Sequence, residues 1–123
     1  MNIFIKQNSS TVKRRYPLQK FVLKFLWLEK NLAVTVDQVT NRGNSPITEY
    51  FFWPRKDAWE ELKDALANKP WISYDESIAL LNQTTDVINY WQEDEKKPSL
   101  SEAQAKFPNC IFTDKFANCL YEN

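Results

Sequence analysis

The chain has 123 residues, 43% of them hydrophobic and 15% aromatic, which fills the core of one ordered domain and not of two. Histidine is absent and glycine occurs once, at Gly43, which removes the usual general base, the Ser-His and Cys-His nucleophile pairs, and the Gly-rich loops that cradle nucleotide phosphates. Net charge is zero, yet Met1 to Lys56 holds ten basic and three acidic residues while Asp57 to Asn123 holds six and thirteen, so a basic front half adjoins an acidic back half.

Residues 1–19 read as a flexible basic arm that orders on a partner, since nothing before Glu29 is acidic and Lys6, Lys13, Arg14 and Arg15 stand among Asn, Ser and Thr. Residues 20–123 read as a single α+β domain with a C-terminal tail. Met-Asn-Ile-Phe-Ile is too short for a signal peptide, and no apolar run approaches the ~20 residues of a membrane span. No membrane partner is expected. Cys110 and Cys119, with eight residues between them, fit neither a redox nor a zinc spacing and read as free thiols.

Phe21, Leu23, Phe25 and Trp27 alternate along one strand, and Leu32, Val34 and Val36 along a second, after a polar Glu29-Lys30-Asn31 corner. That is the pattern of a β-hairpin. Val22, Lys24, Leu26 and Leu28 make the opposite side of the first strand largely apolar too, so a covered strand is expected; Thr35 and Asp37 are expected to face outwards. Asn41 to Pro46 reads as a loop and Ile47 to Phe52 as a third strand.

A helix is expected from Trp53-Pro54, with Ala58, Trp59, Leu62, Ala65 and Leu66 as its stripe and Asn68-Lys69-Pro70 as its stop. Ser73-Tyr74-Asp75-Glu76 is a capping box opening a longer helix to about Glu93, whose apolar face runs Ile78, Leu81, Thr85, Ile88 and Trp91. Ser99-Leu100-Ser101-Glu102 is a second capping box, leading into a short helix through Lys106. The expected fold is therefore α+β: a small antiparallel three-stranded sheet covered by two main helices, with a short C-terminal helix and extended tails.

Glu60 with Glu61 and Asp75 with Glu76 are close carboxylate pairs, but adjacent helix positions diverge by about 100° and both pairs sit in first turns, where the helix dipole favours acids. No metal spacing and no serine in a nucleophile setting occurs. No catalytic residue, metal, cofactor or small-molecule substrate is expected. The candidate phosphate contacts are Lys13, Arg14 and Arg15 in the arm, Lys20 just before the first strand and Lys24 in it, Arg42 in the loop, and Arg55 and Lys56 at the start of the first helix. Aromatics near them invite a base-stacking reading, but the glycine-containing RNP strings are missing, and aromatics at strand spacing usually fill a core. Tyr50, Phe52 and Trp53 are the candidate protein contacts.

The strings themselves carry a resemblance: Lys20-Phe-Val-Leu-Lys-Phe-Leu-Trp-Leu28, Ser45-Pro-Ile-Thr48, Tyr50-Phe-Phe-Trp-Pro-Arg-Lys-Asp-Ala-Trp-Glu60, Lys69-Pro-Trp-Ile-Ser73, Val87-Ile-Asn-Tyr-Trp-Gln92 and Ala103-Gln-Ala-Lys-Phe-Pro108. From about Lys20 to Asp114 the chain closely resembles the plastid-specific ribosomal protein three family, a small-subunit protein of chloroplasts and cyanobacteria. The resemblance implies a non-catalytic component of the small subunit, bound to ribosomal RNA and neighbouring ribosomal proteins. It implies work in the chloroplast stroma, or alternatively in a cyanobacterial cytoplasm. A pI near 6.3 points to a restricted RNA footprint. The runner-up is a stromal interaction or assembly factor with no stable RNA contact.

Overall fold

The computed structural model describes residues 20–93 and 96–115. Lys13, Arg14 and Arg15 of the expected arm, and Cys119, lie outside them. The elements in chain order are β1 (Phe21–Trp27), β2 (Leu32–Thr40), β3 (Gly43–Pro46), β4 (Phe51–Trp53), α1 (Ala58–Ala67), α2 (Tyr74–Gln92), α3 (Leu100–Lys106) and β5 (Ile111–Thr113).

The β1–β2 hairpin follows the alternation of its sequence. Antiparallel pairing sets Leu23 opposite Val36, Phe25 opposite Val34 and Trp27 opposite Leu32, so large apolar residues share one face. The helices pack there: Ala58, Leu62 and Leu66 of α1, Leu80, Leu81, Val87, Ile88 and Trp91 of α2, and Ala103 of α3 join the strand residues in one core. Phe112 of β5 stacks on Phe25 at 5.3 Å and meets Trp27 edge-on at 5.4 Å.

The α+β class stands, and the sheet is larger than expected. It has five strands and is mixed, because β5 runs parallel to β1 through Lys24–Ile111, Phe25–Phe112 and Leu26–Thr113. The short run Ile111–Thr113 has too few residues for periodicity to declare itself, and its pairing is long-range. The expected loop from Asn41 to Pro46 is also corrected: only Asn41 and Arg42 turn, and Gly43 to Pro46 pair with β2 as an exposed edge strand. Gly43 has φ +114°, a region closed to most side chains, so backbone conformation and not space selects glycine there. The expected third strand shrinks to Phe51–Trp53, which pairs with the other end of the same β2 edge.

Three further expectations change. The first helix begins at Ala58, because the Asp57 side chain accepts from Glu60 N–H at 3.1 Å and caps it, leaving Trp53 in a strand. Thr35 and Asp37 are buried: Thr35 Oγ1 donates to the Thr48 carbonyl at 2.9 Å, and Asp37 Oδ2 meets Lys24 Nζ at 3.8 Å. Finally, α2 turns Leu80, Thr84 and Val87 inward with Leu81, Ile88 and Trp91, while Ile78 and Thr85 face solvent. Both capping boxes form as read, Ser73 with Glu76 and Ser99 with Glu102.

Candidate functional site

The basic residues of the front half are not equivalent once folded. Arg42 sits exposed at the β2–β3 turn, where its N–H donates to Thr40 Oγ1 at 3.2 Å and Thr40 Oγ1 donates to the Gly43 carbonyl at 2.6 Å. Arg55 and Lys56 are exposed in the short link between β4 and α1. The Trp53–Pro54 peptide in that link is cis. Lys20 is mostly exposed and stands 3.9 Å from Glu76. Lys24 is different: its side chain is largely covered and its charge faces the buried carboxylate of Asp37. The other oxygen, Asp37 Oδ1, is buried without a hydrogen bond, so Lys24 is the main compensation for a costly group.

Strand alternation separates the three aromatic candidates. Phe52 lies opposite Ala33, on the sheet face turned away from the helices, while Phe51 and Trp53 pack against the core. The Arg55 guanidinium lies 5.4 Å above the Phe52 ring, a cation–π contact that leaves its donors free to point outward. Glu49, Tyr50, Phe51, Phe52, Arg55, Lys56 and Glu61 line one depression of about 300 Å³, which therefore holds two cations and two carboxylates. Trp53 belongs elsewhere. Its Nε1 donates to Gln92 Oε1 at 3.0 Å, and it lines a smaller groove of about 230 Å³ with Trp59, Thr85, Ile88 and Asn89.

So four of the candidates converge, and the remaining described ones do not join them. Its arginine and lysine stand among three aromatic residues, which suits a phosphate and its sugar or base, while Glu49 and Glu61 offset part of that charge. Among the described residues no three Cys, Asp or Glu come together as metal ligands. The buried Cys110 thiol is pushed up to about 12 by desolvation, so at neutral pH it is a protonated, unreactive thiol.

One exposed group escaped the sequence reading. Trp71, Tyr74 and Ile78 are 56%, 78% and 37% exposed and form an apolar corner at the start of α2. The signal was available: with Ser73 fixed as N-cap, a 100° projection sets Tyr74 and Ile78 outside the arc of Leu80, Leu81, Val87, Ile88 and Trp91.

The sequence has well-defined relatives. Residues 47–94 match the family model described as plastid and cyanobacterial ribosomal protein (PSRP-3/Ycf65). The chain is 54% identical over 95 residues to small ribosomal subunit protein cS23 of Gracilaria tenuistipitata var. liui, covering 77% of this chain and 96% of that one. It is 55% identical over 94 residues to a probable cS23 of Synechococcus sp. (strain JA-3-3Ab), covering 76% and 95%. It is 56% identical over 86 residues to cS23z of Arabidopsis thaliana, covering 68% of this chain and 52% of that longer one. With matches of this extent and identity, the chain belongs to the PSRP-3/Ycf65 family of plastid and cyanobacterial ribosomal proteins, structural components of the small subunit and not enzymes.

Proposed function

We propose that this protein is held on the small subunit of the chloroplast ribosome by phosphate contacts from its strand-and-loop end, and that neighbouring ribosomal proteins complete the attachment. Arg55 and Lys56, with Phe52 beneath the guanidinium, form the centre of the RNA contact. Arg42 and Lys20 extend it, and Lys13, Arg14 and Arg15 add charge from the segment that precedes β1. Lys24 contributes little, because Asp37 already balances it. Tyr50 and Phe52 lie beside the phosphate contacts and Trp53 on the far side of the strand, so protein contact through Trp53 uses the groove against α2. The observation that carries this reading is the convergence of Tyr50, Phe52, Arg55 and Lys56 on one depression in a chain whose family works on the ribosome.

Small subunits depleted of this protein provide the test. Rebinding across a salt series should weaken with a log–log slope of about −0.7 to −0.9 per phosphate neutralised. Arg42→Glu, Arg55→Glu and Lys56→Glu together should weaken binding and flatten that slope. A triple variant that rebinds with the wild-type slope would show the phosphate assignment to be wrong and leave attachment through protein as the better account.

A further inference from the structure

The corner at the start of α2 has the chemistry of a second contact surface, distinct from the depression at Arg55 and Lys56. Four of the five tryptophans donate their indole N–H inside the molecule: Trp27 to the Pro98 carbonyl, Trp53 to Gln92, Trp59 to the Leu81 carbonyl and Trp91 to the Leu28 carbonyl. Trp71 makes no such bond among the described residues, and more than half of it faces solvent. Tyr74 is more exposed still, and Ile78 lies one turn further along the same face. Trp71 stands two residues before the N-cap and Tyr74 opens the helix, and the area the three expose is on the order of 300 Å², the size of the largest patch on many monomers and often a functional one.

The charge around it selects the partner. The nineteen residues of α2 include no lysine or arginine, while Asp75 and Asp86 lie on its exposed side and Glu93 follows at its C-cap on the same side. Two cations border the corner: Lys20, largely exposed, stands 3.9 Å from Glu76, and Lys69 donates to the Ala65 carbonyl at 3.1 Å and keeps its charge, so the acidic character belongs to the α2 face beyond the first turn. The positive end of the helix dipole is occupied too, by the Ser73 hydroxyl and the first-turn acids. A phosphate backbone would be repelled along this face, and a cationic polypeptide attracted.

We propose that Trp71, Tyr74 and Ile78 dock a lysine- and arginine-rich segment of a neighbouring protein of the small subunit, which continues along the acidic row of Asp75, Asp86 and Glu93 on the exposed side of α2. Trp and Tyr are the residues that most often anchor such contacts, with charged groups around them setting approach and register. This rests on the small-subunit reading above and adds a second attachment face to it.

The full-length chain with a photoreactive benzoylphenylalanine in place of Trp71 is rebound to depleted small subunits and irradiated. The expected adduct is with a ribosomal protein, at a peptide rich in lysine and arginine. An adduct with ribosomal RNA, or with an acidic or neutral peptide, would overturn the proposal. In parallel, Trp71→Ala should weaken rebinding by about tenfold or more, and Asp75→Lys with Asp86→Lys by several-fold, both with the wild-type salt slope of the phosphate contacts retained. Rebinding of Trp71→Ala within twofold of wild type would overturn this proposal alone, whereas a wild-type chain that fails to bind depleted subunits at all would overturn the small-subunit reading and this one with it.

Discussion

Trp91 and Trp71 belong to the two ends of the α2 region, and they are treated in opposite ways. Trp91 is 3% exposed, donates to the Leu28 carbonyl at 3.2 Å, and lies 4.1 Å beneath the ammonium of Lys97. Trp71 stands before the N-cap, 56% exposed. Around Trp91 every neighbour is set by the need to close α2 onto β1 and β2. Around Trp71 stand Lys69 and the capping residues of α2, and more than half of the indole faces water. The inner end of α2 is explained by the chain itself, and the outer corner is where a partner can meet it.

The largest expected effect comes from the inner end. Trp91→Ala removes a buried ring, its hydrogen bond and its cation–π contact, and should cost about 3–5 kcal/mol of unfolding free energy in urea. A loss below about 1 kcal/mol would mean that the seam between α2 and the sheet is not packed as described. Next in size is the ion pair on the far face of the sheet. Lys24→Ala leaves the Asp37 carboxylate buried with neither oxygen partnered and should cost about 2–3 kcal/mol. Asp37→Asn in the same background should recover part of that loss. If the double variant is no more stable than the single, charge burial is not the reason Lys24 matters.

The capping boxes are smaller and carry a pH signature. Glu76 accepts from the Ser73 backbone N–H at 2.9 Å, and Glu102 from the Ser99 N–H at 2.8 Å. These bonds to backbone, helped by the serine hydroxyls, hold both carboxyls below the usual 4.5. A depressed carboxyl stabilises the fold above its unfolded value, so this contribution is complete above about pH 4.5 and is lost as pH falls through the folded values. Ser73→Ala should cost about 1 kcal/mol at pH 7, and the difference from wild type should narrow on acidification. A difference that stays constant from pH 7 to pH 3 would assign the effect to helix propensity and not to the box.

Legibility in the sequence followed the range of the interaction. The hairpin was readable because Phe21 to Trp27 and Leu32 to Val36 alternate, and both capping boxes because serine and glutamate sit three apart. These are local patterns. What could not be read came from pairings across the chain: β5 reaches β1 over more than eighty residues, and Thr35 and Asp37 are buried by Thr48 and Lys24, which no periodicity announces. In the site, Arg42 was identifiable from its loop position and Arg55 and Lys56 from a helix start that proves to be a link. Their separation from Lys24 was not, because that depends on which side of a strand a lysine falls and on an acid opposite it. Ile78 misled for a related reason: it lies within helical spacing of Leu81 and Thr85, and it is the packing of Leu80, Thr84 and Val87 that shows the buried arc to end at Leu81.

A stability effect no larger than that of the capping boxes is the one that most sharpens the comparison between the two ends of α2. Trp71→Ala deletes the same side chain as Trp91→Ala, but from a position with no hydrogen bond among the described residues and with most of its surface already in water. Less than half of the side chain is covered and no polar group is orphaned, so the unfolding free energy should fall by only about 1 kcal/mol. Tyr74→Ala should behave alike, with a small helix-propensity gain offsetting what contact it loses. Chemical denaturation of the isolated protein measures both. A cost above about 1.5 kcal/mol at Trp71 would show that its indole supports the turn between α1 and α2, and its exposure would then be a by-product of folding; a cost at or below the expected value leaves an aromatic corner that contributes little to the isolated chain and is free to be explained by its partner.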